Sequence, residues 1–359
     1  MSSNYDQFIG TRPVAPQHAF DEAALARYLR DRIEGFGSAL KVEQFKGGQS
    51  NPTFMLTAGS GQRYVLRRKP PGQLLPSAHA VDREFRVISA LRDSAVPVPR
   101  THLLCEDPSV IGTMFYVMDC VDGRVLWDPR LPELTSAQRS AHYAELGRVI
   151  AALHQVDPIA VGLADYGKPG NYIARQVARW TQQYKAAETE TIDAVDRLID
   201  WLPARIPPGD ETAIVHGDYR FDNVIFHPTE PRILAVLDWE LSTLGHPLVD
   251  FAYHCMTWRM PAAEGSRGLA GADLSALGIP SEREYLQSYL EATGRTRSVS
   301  DEDWAYYMVF NMFRLVGILQ GIMKRALQGN ASNAQALQAG RRARPLAEQA
   351  WALAQQATR

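Results

Sequence analysis

The hydrophobic and polar positions follow different periods in the two parts of the chain, and the change occurs near residue 119. In the first part, apolar residues recur at helical spacing over 20–35 and again over 78–92, which predicts two helices. Short runs of strand-forming residues bounded by Gly-rich turns predict strands at 41–46, 53–57, 63–68, 101–105 and 113–119. After the leading helix, the predicted order β-β-β-α-β-β describes a small lobe built on an antiparallel sheet.

From about residue 135, helical periodicity dominates. It predicts helices at 137–155, 170–187, 190–203, 281–293 and 300–328, with a last pair around Pro345. Two short strands, 223–227 and 232–237, interrupt this series. The chain therefore predicts an α+β fold of two lobes: a sheet-based N-terminal lobe at 1–118 with one key helix, a hinge at 119–124, and a larger, mainly helical C-terminal lobe at 125–359.

Composition narrows the class of protein without identifying it. The chain has 359 residues, of which 45% are hydrophobic, enough to bury two joined lobes. Its 38 basic and 40 acidic residues nearly balance, which gives no support for a nucleic-acid or membrane-surface partner. Cys105, Cys120 and Cys255 are too far apart for a disulfide framework or a Cys-based zinc site. The N-terminus lacks a secretory pattern and 305–323 is too polar for a membrane span, so a cytoplasmic location is expected.

The segment 216–223, His-Gly-Asp-Tyr-Arg-Phe-Asp-Asn, carries the strongest chemical signal. Phosphoryl transfer needs a carboxylate beside the attacking hydroxyl and hard oxygen ligands for Mg²⁺. Five residues separate Asp218 from Asn223, so one can face a substrate while the other faces a metal. A hairpin of the two following strands would return Asp238 to the side of Asn223. This spacing is the catalytic-loop pattern of kinases. The alternative, that these Asp residues only cap turns, leaves the joint spacing unexplained.

The small lobe supplies candidate phosphate-binding groups. Gly47 and Gly48 lie between two strands, where backbone N–H groups can approach phosphates because no Cβ obstructs them. Arg67 lies on strand 63–68 where kinases carry a lysine, and Glu84 on helix 78–92 is its natural partner. By strand alternation, Lys69 points the same way as Arg67 and is an alternative cation. A second alternative is a solvated basic patch of Arg63, Arg67, Arg68 and Lys69.

With these residues together, the sequence resembles the aminoglycoside phosphotransferase and choline kinase-like group of small-molecule kinases, which have a protein kinase-like fold. The resemblance covers about residues 20 to 328. The segments 64–72, 77–79 and 83–85 are similar to the phosphotransferase domain attached to some acyl-CoA dehydrogenases and to its free-standing bacterial relatives.

The resemblance implies ATP and Mg²⁺ as cofactors and a small molecule with a hydroxyl group as the acceptor. It implies that Asp218 is the catalytic base, that Asn223 and Asp238 are magnesium ligands, and that Arg67 contacts the phosphates. The metal-binding turn is Asp-Trp-Glu rather than the Asp-Phe-Gly of protein kinases, and the phosphate-contacting cation is Arg rather than Lys. Arg keeps the charge but binds phosphate through a planar fork.

Other positions receive roles from the same resemblance. The hinge residues that would contact adenine, mainly through backbone groups, are Met118, Asp119, Cys120 and Val121. Arg220 is a candidate for stabilising charge on the transferred phosphoryl group, with a solvent-facing loop arginine as the alternative. Asp250 would brace the catalytic loop by hydrogen bonds, and His216 would pack within that loop; both are interpreted as structural.

The acceptor is predicted less sharply than the reaction. Residues 251–359 contain 12 basic and 9 acidic residues, a balance that disfavours a polycationic aminoglycoside. A carboxylate or phosphate group would suit the basic residues of this region, Arg259, Arg267, Arg314, Lys324 and Arg325. The resemblance points to a hydroxylated acid or its CoA thioester. Two rival functions are a catalytically silent nucleotide-binding regulatory module and a metal-dependent hydrolase. The hydrolase is disfavoured because no histidine pair has metal-ligand spacing.

Overall fold

A six-stranded antiparallel sheet forms the small lobe. The computed structural model describes residues 9–47, 51–70, 80–262, 268–295, 298–329 and 335–357. The strands are β1 (Thr11–Arg12), β2 (Leu40–Phe45), β3 (Thr53–Ala58), β4 (Arg63–Arg68), β5 (Thr101–Cys105) and β6 (Phe115–Asp119). Their spatial order is β1-β2-β3-β4-β6-β5, and every neighbouring pair is antiparallel.

Two helices cover opposite faces of this sheet. Helix α1 (Glu22–Arg30) packs Leu25 and Leu29 into a cluster with Leu66 of β4. Helix α2 (Val81–Ala90) lies on the other face, in the same apolar cluster as Val65 and much of the large lobe. Since neighbouring side chains of a strand point to opposite faces, Arg67 lies with Val65 on the face toward the large lobe.

The large lobe is mainly helical. Its helices are α3 (Ser136–Gln155), α4 (Tyr172–Ala187), α5 (Asp193–Ala204), α6 (Pro247–Cys255), α7 (Leu274–Leu277), α8 (Glu282–Ala292), α9 (Asp301–Leu327), α10 (Ala336–Gly340) and α11 (Ala343–Ala357). Two small antiparallel sheets join β7 (Ala213–Val215) to β10 (Thr243–Gly245), and β8 (Val224–Phe226) to β9 (Ile233–Val236). None of the helices in the described ranges is long and apolar enough to cross a membrane.

The α+β fold class is confirmed, whereas several predicted elements need correction. The sequence did not predict the short strands β1, β7 and β10, because two or three residues carry no readable alternation. Helices α6 and α7 were also missed, and α1 is shorter than the predicted 20–35. The break before the last helix lies at 341–342 rather than at Pro345. Proline in the first turn of α11 is tolerated there, because the N–H that it lacks would have no helical partner.

The chain between β6 and α3 crosses from one lobe to the other. Its Arg124 forms an isolated antiparallel bridge with Phe226 of β8, with both backbone hydrogen bonds at 2.8 Å. This bridge ties the connection to the hairpin that follows the 216–223 segment. The division of the chain at 118–124 remains a prediction.

Helix α2 is fastened to the large lobe at a second place. Arg83 donates a hydrogen bond to the backbone carbonyl of Tyr166 at 2.7 Å, and its guanidinium lies 4.2 Å from the centre of the Tyr166 ring. The buried Tyr166 hydroxyl in turn contacts Arg83 O at 3.2 Å and Ser242 Oγ at 2.7 Å. These contacts fix the helix that carries Glu84 against the large lobe.

We predict that Gly123→Ala destabilises the protein, since a Cβ there would lie 2.3 Å from Phe226 O and 2.4 Å from Ile225 Cγ2. Such overpacking costs about 1–3 kcal/mol of unfolding free energy. Gly321→Ala is the control, because its Cβ would meet only Arg325 Nη1 at 3.6 Å within a helix. This change should stabilise by about 0.5–1 kcal/mol. Denaturant unfolding measures both, and an unchanged midpoint for Gly123→Ala would contradict the prediction.

Candidate active site

A cavity of about 820 Å³ lies between the two lobes and is lined by residues of both. It brings together most of the residues that the sequence singled out, namely Gly47, Arg67, Met118, Asp119, Cys120, Val121, Arg220, Asn223 and Asp238. Asp218 and Glu84 do not line the cavity but contact residues that do. Gly48 lies outside the described residues. The predicted constellation is therefore a spatial cluster.

The Arg67 guanidinium joins three segments of the chain. Its Nε lies 2.9 Å from Glu84 Oε2, and its Nη2 donates to Asp238 Oδ1 at 2.6 Å. The side chains of Arg67 and Glu84 are only 11% and 1% exposed, so each charge needs the other. Burial raises the pKa of Glu84 to about 7, and the ion pair with Arg67 opposes this shift. Although burial alone would lower the pKa of Arg67, Glu84 and Asp238 together raise it.

Two neutral side chains complete the Glu84 site, and neither was predicted from the sequence. Asn51 is fully buried and donates from Nδ2 to Glu84 Oε1 at 2.9 Å, while the Tyr116 hydroxyl donates to Oε2 at 3.2 Å. Three donor side chains thus surround one carboxylate, an arrangement that favours its charged form. Asn51 lies six residues after the end of β2, and its contact with α2 is not apparent from its position in the sequence.

The interpretation of the small-lobe basic residues as a solvated patch is wrong. Lys69 lies 3.6 Å from Asp82 and does not pair with Glu84. Arg63 pairs with Asp122, and Arg68 is buried on the opposite face of the sheet, where it donates to backbone carbonyls. Arg67 is therefore neither exposed nor part of a solvated patch.

The Asp218 carboxylate accepts hydrogen bonds from three side chains. Oδ2 accepts from Arg220 at 3.0 Å and from Asn223 Nδ2 at 2.9 Å, and Oδ1 accepts from the Tyr253 hydroxyl. Arg220 also lies 3.5 Å from Asp222, and these two carboxylates raise its pKa against the opposing effect of burial. The arrangement fixes the orientation of the carboxylate and balances the charge of Arg220.

Asp250 braces the 216–223 loop by hydrogen bonds, as expected from the sequence. Its two carboxylate oxygens accept from the backbone N–H groups of His216 at 2.7 Å and Gly217 at 2.8 Å. Its contact with His154 is 3.2 Å long. Burial would raise the pKa of Asp250, but His154 and the loop amide of His216 outweigh it and lower the pKa. Gly217 has φ +83°, a left-handed conformation that favours glycine, so the turn fits its residue.

Asn223 and Asp238 offer oxygen atoms suited to Mg²⁺. Asn223 Nδ2 donates to both the backbone oxygen and the carboxylate of Asp218, at 2.8 and 2.9 Å. With both amide hydrogens used, its Oδ1 is left available to a cation. Asp238 lines the cavity, with 34% of its side chain exposed and φ at +63°, a conformation rare outside glycine and enriched at functional sites. Among the described residues there is no cluster of three or more His, Cys, Asp or Glu side chains that could hold a metal.

The hinge backbone is partly engaged by the protein itself. Asp119 N donates to Arg100 O at 2.8 Å and Cys120 N donates to Arg63 O at 3.3 Å. Val121 N has no protein acceptor within the described parts of the chain, so it is available to a ligand. The neighbouring cavity wall is apolar, with Val65, Ile88, Met118, Ile225 and Val236, which suits a flat heterocyclic base.

Sequence reasoning missed Tyr253, which touches the predicted base directly. A signal was present: Tyr253 follows Asp250 by three residues, and residues at that spacing share one face of a helix. Because α6 was not predicted, the spacing was not interpreted. The buried Tyr253 hydroxyl has its pKa raised by burial and by Asp218, so it remains a hydrogen-bond donor.

The basic residues predicted for the acceptor region have different surroundings. Arg259 is paired with Glu282, and Lys324 donates to Ala186 O. Arg325 is exposed on α9, and Arg267 lies outside the described residues. Arg314 alone of the four that are described contacts the catalytic loop, through a hydrogen bond from Nη2 to Gly217 O at 2.8 Å. The predicted group is therefore reduced to one residue.

The two-lobed architecture with this cluster in its cleft is that of the protein kinase-like phosphotransferases. Residues 41–285 match the model of the family described as "Phosphotransferase enzyme family". The chain belongs to that family. A Ralstonia eutropha protein assigned provisionally to the aminoglycoside phosphotransferases has a crystal structure that is 56% identical and superposes with a TM-score of 0.86, covering 94% of this chain and 99% of that one.

A protein of much lower identity shares the fold, and longer proteins contain a region similar to this chain. Plasmodium vivax ethanolamine kinase, 13% identical, has a TM-score of 0.59 over 89% of this chain and 85% of its own, which shows a shared fold. Mouse "Acyl-CoA dehydrogenase family member 10" is 46% identical over 95% of this chain but only 32% of its own length. The chain spans between about a third and less than half of the length of the first curated relatives that it matches. The kinase-like neighbours give no support to a catalytically silent module.

We predict that Arg67→Ala and Glu84→Ala impair the same step, because each removes one half of a buried pair. Each should lower kcat/KM for ATP about 10- to 100-fold, as expected for a charged hydrogen bond worth about 1.5–3 kcal/mol. The double variant should be far from additive, with a coupling energy of about 0.5–3 kcal/mol. Steady-state kinetics of the wild type, the two single variants and the double variant measures this coupling energy.

Lys69→Ala is the matched control. It lies two residues further along the chain, beyond the end of β4, with a part-exposed contact to Asp82, so its removal should cost about 0–1 kcal/mol. Additive effects of Arg67→Ala and Glu84→Ala would contradict the pair. So would a larger loss in Lys69→Ala than in Arg67→Ala.

Proposed function

We propose that this protein is a small-molecule kinase that transfers the γ-phosphoryl group of ATP to a hydroxyl group of its acceptor. The observation that carries the proposal is the Asp218 carboxylate, held in place by Arg220, Asn223 and Tyr253 beside the cavity that Asp238 also lines. A carboxylate with a fixed orientation, next to two oxygen ligands and a buried arginine, is the equipment that phosphoryl transfer requires.

In the proposed reaction, the acceptor hydroxyl lies against Asp218. Its oxygen forms a bond to the γ-phosphorus while the bond between that phosphorus and the bridging β–γ oxygen breaks. The hydroxyl proton passes to the Asp218 carboxylate, and the products are ADP and the phosphorylated acceptor. Arg220 lies between Asp218 and Asp222 on the cavity wall, from where its charge would stabilise the transferred group. Arg67, held by Glu84, would bind the α- and β-phosphates.

The residues present fit a bound magnesium ion. Asn223 Oδ1 and the Asp238 carboxylate would hold Mg²⁺, since both are hard oxygen donors on the same cavity. When bound, the ion supplies positive charge that neutralises the β- and γ-phosphate oxygens. Arg67 contributes by fixing Asp238 through the 2.6 Å hydrogen bond. The adenine base of ATP would lie against the apolar cavity wall near Val121.

For the acceptor, we propose a hydroxylated acid or its CoA thioester. The relatives whose names identify them as acyl-CoA dehydrogenase family members contain a region similar to this chain, together with additional sequence. A hydroxylated acyl compound is a reasonable common substrate for the two parts of such a protein. Arg314, the one described basic residue of the predicted group that contacts the catalytic loop, supports an anionic acceptor rather than a polycation.

The experiment that tests this function is an ADP-release screen with ATP and Mg²⁺. The acceptor panel would contain hydroxy acids, hydroxyacyl-CoAs, amino alcohols and aminoglycosides, and mass spectrometry would detect the phosphorylated product. We expect turnover with the first two classes. Stabilisation by nucleotide without ADP release in any class would contradict the proposal and favour the regulatory module.

We predict that Asp218→Asn abolishes most turnover while nucleotide affinity stays within about threefold, because the carboxylate acts on the acceptor hydroxyl. Loss of a general base lowers kcat by about 10²–10⁴-fold. Single-turnover kinetics and calorimetric titration with Mg²⁺–ATP measure the two quantities separately. A variant that keeps more than half of the wild-type kcat would disprove this role.

We also predict that Asp238→Ala weakens Mg²⁺–ATP binding more than Asn223→Ala does, because a carboxylate brings formal charge to the metal and an amide only a dipole. Both affinities are measured by calorimetry over a range of Mg²⁺ concentrations. Asp222→Ala is the control for loss of a neighbouring carboxylate that is not assigned to the metal, since this carboxylate contacts Arg220. Unaltered affinity in Asp238→Ala would refute the assignment of this ligand.

A further inference from the structure

Three arginines of α4 and α9 act on Tyr172 at the start of α4, and one of them contacts the catalytic loop. They are Arg175 and Arg179 of α4 and Arg314 of α9, and together we call them the α4–α9 cationic wall. Burial raises the pKa of the half-buried Tyr172, and the three charges oppose this shift. The Arg314 guanidinium lies 5.6 Å from the centre of the Trp180 ring and 4.9 Å from that of Tyr253.

The wall has no carboxylate partner of its own. Within the described ranges, none of the three guanidinium groups has an Asp or Glu oxygen at ion-pair distance, whereas Arg67, Arg220 and the α8-facing Arg259 all do. Arg314 Nε is buried and has no hydrogen-bond partner among the residues that the structure describes. Holding a part-buried cation between two aromatic rings without a counter-ion costs free energy that an anionic ligand would recover.

The position of Arg314 relates this cation to the chemistry. The Tyr253 ring that it faces carries the hydroxyl that donates to Asp218 Oδ1. One tyrosine therefore separates the unpaired guanidinium from the oxygen proposed to accept the hydroxyl proton. A molecule that presents its hydroxyl to Asp218 would bring its next substituent toward Arg314 if it extends along the Tyr253 ring.

We propose that Arg314 binds an anionic group of the acceptor, a carboxylate or a phosphate, and so selects negatively charged hydroxyl compounds. Arg179 is exposed on α4 and adds positive charge to the wall. Tyr253 is the positioning residue between the two ends of the acceptor. This inference rests on the proposed kinase function and deepens it by naming the residue that recognises the acceptor.

A purely structural role for Arg314 is the competing explanation, because its Nη2 donates to Gly217 O at 2.8 Å. Two substitutions separate the roles. Arg314→Gln keeps an amide donor for Gly217 but removes the charge, whereas Arg314→Lys keeps the charge and loses the fork. If Arg314 only braces the loop, Arg314→Gln behaves like the wild type and discriminates acceptors as well.

The experiment compares charged and neutral forms of the same acceptor. Hydroxy acids are paired with their methyl amides, and hydroxyacyl-CoAs with the matching pantetheine thioesters, so that recognition of a carboxylate and of CoA phosphates is distinguished. In Arg314→Gln, we expect KM for the charged form to rise about 10- to 100-fold, the range for a charge-assisted hydrogen bond. The KM for ATP and the KM for the neutral form should change less than threefold, and Arg314→Lys should recover part of the loss.

Arg325→Gln is the matched control, because Arg325 lies exposed on the same helix. It should leave all parameters unchanged, and thermal unfolding of each variant shows whether the fold is retained. An unchanged ratio of charged to neutral kcat/KM in a folded Arg314→Gln protein overturns the inference. Turnover of neutral or cationic alcohols in preference to acids overturns it too and leaves the kinase proposal standing. If no acceptor of any class leads to ADP release, both this inference and the kinase proposal are overturned.

Discussion

The buried contact of Arg67 with Glu84 and Asp238 is the interaction on which the rest of the site depends. It joins β4, α2 and the turn after β9, three segments that are far apart in the sequence. Burying a guanidinium to 11% exposure costs free energy, and the two carboxylates offset this cost when all three segments come together. The same contact joins the small lobe to the large lobe and fixes the position of an Asp238 carboxylate oxygen, which we propose as a metal ligand.

The catalytic loop applies a second constraint, which acts through hydrogen bonds rather than charge. Asp250 fixes the loop backbone by accepting hydrogen bonds from the amides of His216 and Gly217. Asn223 donates both of its amide hydrogens to Asp218. The loop is thus held from outside and from within before any ligand binds. Preorganised groups of this kind need little rearrangement during reaction, which is the main way a protein accelerates phosphoryl transfer.

The sequence predicted the features that depend on local spacing. The position of Arg67 on its strand matched that of the kinase lysine, the position of Glu84 on its helix indicated a cationic partner, and the interval between Asp218 and Asn223 identified the loop. Asn51 could not be found, because its contact with Glu84 depends on tertiary packing, which is not apparent from its position in the sequence. Likewise, only tertiary packing separates Arg314, which faces Tyr253, from Arg259, whose charge is satisfied by Glu282. Unpaired charge is a property of the fold and not of the residue type.

The attachment of α2 to the large lobe bears on how such an enzyme is controlled. In a kinase that is switched by displacing this helix, the inactive form must be nearly as stable as the active one. Here Arg83 is anchored to the buried Tyr166 by a hydrogen bond and by ring contact. Pulling the helix away would expose that ring and separate the Glu84 carboxylate from its partners, so the contacts of α2 disfavour its displacement.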